Sequence, residues 1–119
     1  MNYISIEQSK KLLELGLNPK SSDMYYFPVL GDAHRWVISL GSYFECIPKI
    51  NFPNDNCIPC WSVGALLNII PNYQLQTQTN HKIGILFGYK EGIKIIEADT
   101  VIDACFEMIC WLLENGYIK

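Results

Sequence analysis

Tyr73-Gln74-Leu75-Gln76-Thr77-Gln78-Thr79, Ile83-Gly84-Ile85-Leu86-Phe87-Gly88-Tyr89 and Ile93-Lys94-Ile95-Ile96-Glu97 decide the fold class. The first run alternates strictly, with Tyr73, Leu75, Thr77 and Thr79 on one side and three glutamines on the other, the period of a strand. Asn80-His81-Lys82 turns it into the second run. Lys90-Glu91-Gly92 reads as a three-residue hairpin loop, with glycine where a positive φ is needed. The three runs therefore predict an antiparallel meander.

Helical signals flank it. Thr100 is a cap, and Asp103 stands at the third helical position, where a carboxylate suits the helix dipole. Val101, Ile102, Cys105, Ile109 and Leu112 make one broad apolar face, while Asp103, Glu107, Cys110 and Glu114 fall opposite. Asn115-Gly116 closes the helix, Gly116 being suited to a left-handed C′ position. Upstream, Ser62 predicts a second helix start, with Trp61 and Leu66 as a hydrophobic staple and Pro71 as the stop. At the beginning, Ser5 and Gln8 form a capping box, Ile6, Leu13 and Leu17 share an arc with Leu12 beside them, and Gly16 and Pro19 end the helix. Met24–Leu30 and Arg35–Leu40 are rich in aromatic and β-branched residues and predict two strands joined through Gly31-Asp32-Ala33. Residues 41–59, with Pro48, Pro53, Pro59 and an asparagine cluster, predict a long loop. The expected order is α-β-β-α-β-β-β-α: a single α+β domain spanning residues 1–119, with three helices on one face of a mainly antiparallel sheet.

Half of the 119 residues are hydrophobic and 18% are charged, enough apolar surface for one core. The net charge is −3 and the nine basic residues are scattered, so no stripe exists for tracking duplex nucleic-acid phosphates. From Glu97 to Ile118 there are acids and no base. No run of apolar residues is long enough for a membrane span, and the N-terminus lacks the pattern of a signal peptide. Five cysteines, an odd number in a chain that needs no staples, point to a reducing cytoplasm.

Three stretches together carry a resemblance. They are Glu7-Gln8 with Leu12-Leu13-Glu14-Leu15-Gly16-Leu17 and Asp23-Met24-Tyr25-Tyr26; Pro59-Cys60-Trp61-Ser62-Val63-Gly64-Ala65-Leu66-Leu67 with Ile70-Pro71; and Asp103-Ala104 with Trp111 to Ile118. The chain resembles a group of small proteins from Bacteroides-type gut bacteria and their phages or mobile elements. That resemblance implies the fold-forming caps, staple and helix end, and a mobile-element setting. It brings no activity and hence no catalytic residues, and it implies a small residue such as alanine at the position of Cys60.

Cys57-Ile58-Pro59-Cys60 is the sharpest chemical motif. A CxxC at a helix N-terminus supports disulfide exchange, but no βαβ unit precedes this one and no later proline is placed to face the thiols. Zinc would need four ligands, conceivably Cys46, Cys57, Cys60 and either His34 or His81, but there is no second CxxC or HxxxH. Small buried thiols are the plainer use. Cys105 belongs to the core, and Cys110 sits among acids that raise its pKa. His34 and His81 lie by turns, with no nucleophile-elbow pattern. Asp99, Asp103 and Glu107 are explained by a helix start and a solvated face. Gly84, Gly88 and Gly92 are not in a strand-to-helix loop and cradle no phosphate. Stacking of single-stranded nucleic acid on Tyr25, Tyr26, Phe27 and Trp36 would lack a basic groove. No catalytic, cofactor-binding or metal-ligating set is therefore expected.

One feature points outward. From Asn56 to His81 there is no Asp, Glu, Lys or Arg. A strand such as Tyr73–Thr79 lacks the lysines that guard sheet edges, which suits pairing with another chain. The expected function is a non-enzymatic protein-interaction module that binds a protein partner or itself.

Overall fold

The computed structural model describes residues 2–29, 32–40, 58–77 and 80–118. The long loop expected from Gly41, with Cys46 and Cys57, lies outside the described residues up to position 57, as do Leu30, Gly31, Gln78, Thr79 and the side chains of Phe27, His34 and Trp36.

The capping signals position the helices as expected. Helix α1 covers Ile6–Glu14. Its Ser5 amide donates to Gln8 Oε1 at 2.9 Å, and the Gln8 amide donates to Ser5 Oγ at 3.1 Å. Gly16, at φ +99°, lets the Leu17 amide turn back onto the Leu12 carbonyl. A short 3₁₀ turn follows at Pro19–Ser21. Helix α2 covers Val63–Ile69, capped by Ser62 Oγ, which accepts from the Ala65 amide. Helix α3 covers Val101–Glu114, with Thr100 Oγ1 accepting from the Asp103 amide.

The strands form two antiparallel sheets rather than one. Strand β1 (Met24–Val29) pairs with β2 (Asp32–Leu40) on one side and with β3 (Ile58–Cys60) on the other. An irregularity between Pro28 and Val29 resets the register, so β2 begins three residues before the expected Arg35. Strand β3 overlaps the end of the loop expected at 41–59, because three residues including Pro59 carry no alternation to detect. The second sheet is the meander β4 (Tyr73–Thr77), β5 (Ile83–Tyr89) and β6 (Gly92–Ala98).

Helix α3 lies between the meander and the other helices, touching β5 and β6 on one side and α1 and α2 on the other. Its buried residues are Ile102, Ala104, Cys105, Met108, Ile109 and Leu112. A single apolar stripe accounts for four of these, while Ala104 and Met108 are buried because the helix is covered from two directions. In α1 the deepest residues are Ser9 and Leu12, with Ile6 and Leu13 half-buried, so its inner face is turned from the expected arc. Gln8 Nε2 donates to Asp103 Oδ1 at 3.2 Å and ties the start of α1 to the start of α3.

Residues 2–4 run beside 61–63. The Ile4 amide donates to the Trp61 carbonyl, the Val63 amide to the Asn2 carbonyl, and Tyr3 bridges Ser62. Among the described residues no helix is long and apolar enough to cross a membrane.

Candidate interaction surface

The alternating run at 73–77 folds as an edge. Strand β4 pairs only with β5 among the described residues, from Tyr73 opposite Phe87 to Thr77 opposite Ile83. All five β4 residues are exposed. In an antiparallel pair alternate residues direct both backbone groups to the same neighbour, so half of the β4 N–H and C=O groups point away from β5. Tyr73 and Leu75 are 38% and 42% exposed, although they occupy the side of the sheet whose central residues Ile85 and Phe87 are buried against α3. Helix α3 covers the middle of the sheet and stops short of this edge.

Gln74 and Gln76 project from the opposite face. The register places Leu86 opposite Gln74 and Ile95 opposite Leu86, with Ile93 facing Gly88. Ile93 and Ile95 are 62% and 50% exposed. Gly88 has no side chain, which leaves an open depression bounded by Asn72, Gln74, Leu86 and Ile93. The strands of this face are legible in the alternating runs, but its bareness is not. Its exposed isoleucines look like ordinary core residues until the sheet order is known.

Behind the edge, Phe87, Tyr89, Trp111 and Tyr117 form a connected aromatic group with centroid separations of 5.4–6.3 Å. Lys94 Nζ lies 5.4 Å from the centre of the Trp111 ring, a cation–π contact. This group pins the end of α3 to the meander.

The cysteines point inward. Cys60 lies at the end of β3, two residues before the α2 cap, and is fully buried. Its thiol donates to the Ile4 carbonyl at 3.5 Å, and the Tyr26 hydroxyl donates to the same oxygen at 2.7 Å. Burial pushes the Cys60 thiol from an ordinary 9.0 up to about 12, against a smaller opposing effect of the Tyr26 hydrogen bond. Such a thiol is the reverse of an activated nucleophile. Cys105 is pushed up to about 11 by burial. Cys110 rises to about 11, by burial first and only then by Glu114, while Lys11 opposes the shift. Among the described residues no three His, Cys, Asp or Glu side chains are grouped to hold a metal ion.

These shifts set an alkaline limit. Unfolded thiols ionise near 9.0, whereas the folded ones keep their protons to about 11 or 12. Above the unfolded value the unfolded chain binds fewer protons, so rising pH favours it; below that value the contribution is complete. The urea midpoint is therefore expected to be flat between about pH 7 and pH 8.5 and to fall above about pH 9. Cys60→Ala should flatten part of that fall, and an unchanged slope would contradict the burial of its thiol.

The aromatic residues of β1 do not make one stacking platform. Tyr25 and Tyr26 are consecutive along a strand and face opposite ways. Tyr26 turns inward to Ile4, its ring edge meeting Tyr3 at 6.3 Å, and burial raises its hydroxyl pKa above the ordinary tyrosine value. His81 is exposed in a turn at φ +65°. Asp103 is engaged by Gln8, and Lys82 lies 3.9 Å from Asp99 at the surface. No protein family, curated protein or solved structure matches the chain.

Proposed function

We propose that this protein is a small, non-enzymatic, cytoplasmic interaction domain that accepts a strand from a protein partner at the β4 edge. The observation that supports it is an edge strand of five exposed residues with no formal charge. Natural edges are commonly guarded by charge, proline or a covering element, and β4 carries none of these among the described residues. Strand addition obtains affinity from main-chain hydrogen bonds and selectivity from alternate side chains, here Tyr73 and Leu75 on one face and Gln74 and Gln76 on the other.

The test is a comparison of the wild type with Gln74→Lys combined with Gln76→Lys. Both side chains are exposed, so circular dichroism should be unchanged. Affinity capture from the native cytosol, together with sedimentation, should show association that the wild type has and the double variant loses. Identical captured proteins and identical sedimentation for the two would sink the edge reading.

A further inference from the structure

We infer that the strand added at β4 comes from a second copy of this chain, paired antiparallel about a two-fold axis through Leu75; this rests on the edge reading above. Reading β4 in the two directions gives Tyr-Gln-Leu-Gln-Thr and Thr-Gln-Leu-Gln-Tyr, so the strand is close to a palindrome about its central residue. A two-fold antiparallel pair sets each residue against its mirror position. Leu75 then meets Leu75 of the second copy, Gln74 meets Gln76 twice, and Tyr73 meets Thr77 twice.

Each of these pairs is chemically compatible. The leucines stand on the α3 side of the sheet, where Leu75 is 42% exposed beyond the buried Ile85. Their contact would cover apolar surface that no described residue covers. Gln side chains both donate and accept, so a Gln74–Gln76 pair satisfies itself across the junction on the other face. A tyrosine beside a β-branched threonine is a favourable cross-strand neighbour.

Charge supplies the stronger argument. A symmetric strand pair brings like residues near one another, so any charge within β4 would face or flank its own kind. The five positions hold none, and the neutral stretch runs from Asn56 to His81. A foreign strand would not require this property. It would be better selected by a charge complementary to its own, and β4 presents no such charge. Register is fixed as well, because a one-residue slip would put leucine against glutamine on the wrong face. The product is a continuous six-stranded sheet with one α3 on the same face in each half.

Sedimentation equilibrium over about a hundredfold concentration range tests this, with a monomer–dimer equilibrium expected of the wild type. Three charge patterns then test the axis. Gln74→Lys with Gln76→Lys sets lysine against lysine at both mirror pairs and should weaken the dimer at least about tenfold. Gln74→Glu with Gln76→Lys sets glutamate against lysine at both and should dimerise at least as well as the wild type. Gln76→Lys alone sets lysine against glutamine and should fall between them. Amide exchange in β4 should slow as the wild-type concentration rises. A wild type that stays monomeric overturns the second-copy proposal, and so does a dimer indifferent to these changes or one that both double variants dissociate equally. The edge reading has its own outcome: a monomeric wild type whose captured partner is still lost with the double lysine variant discards the second copy and leaves the edge.

Discussion

Trp61→Ala is expected to destabilise the protein by about 3–5 kcal/mol, the usual cost of truncating a fully buried tryptophan. Trp61 is completely buried where three parts of the chain meet. It follows β3 directly, precedes the α2 cap, and holds the Ile4 amide on its carbonyl. Its indole N–H also donates to Ser21 Oγ at 2.9 Å, fixing the turn that leads into β1. Alanine would leave a cavity that neither a strand nor a capped helix can collapse into. Against a total stability of about 5–15 kcal/mol for an ordinary domain, that is a large share. Trp61→Phe separates the contributions: it retains most of the apolar packing and loses the hydrogen bond, so about 1–2 kcal/mol is expected. Urea unfolding measures both. An alanine cost below about 1 kcal/mol would mean that the indole is not in the core.

Leu112→Ala should cost about 2–5 kcal/mol, whereas Glu107→Ala, on the exposed side of the same helix, should stay within about 0.5 kcal/mol. Leu112 is fully buried in α3, and Glu107 is exposed. The pair tests the orientation of the element around which the meander and the other helices are arranged. Similar losses at the two positions would show that the wrong side of α3 is buried.

What the sequence made legible was local. Ser5 with Gln8, Ser62 with Ala65, and Thr100 with Asp103 each act within one turn of helix, and each capping bond is present. The β5–β6 hairpin was equally readable, although Gly92 already pairs with Tyr89 and leaves a loop of two residues, Lys90 and Glu91. What depended on distant contacts was missed. Pairing of β3 with β1 joins segments more than thirty residues apart, and the division into two sheets follows from it. The second buried side of α3, at Ala104 and Met108, required knowing that α1 and α2 cover it. For the surface, the absence of charge at 73–77 could be read directly, but its place at an edge needed the strand order. The CxxC spacing suggested a thiol at a helix start, whereas Cys60 ends a strand and its sulfur is enclosed between Ile4 and Tyr26.

The helix at the centre of this architecture is also the last described element to leave the ribosome. Until Val101–Glu114 has been synthesised, Ile85 and Phe87 have no cover, and Gln8 has no Asp103 to hold. Between the synthesis of the meander and that of α3 the nascent protein therefore carries a sheet with a bare apolar face and an unguarded edge, the condition in which neighbouring chains on one message most readily stick to each other. Its window of greatest exposure to chaperones and proteases closes only when α3 arrives, so a frameshift or stop codon anywhere before that helix should yield a fragment that is cleared rather than one that works at reduced strength.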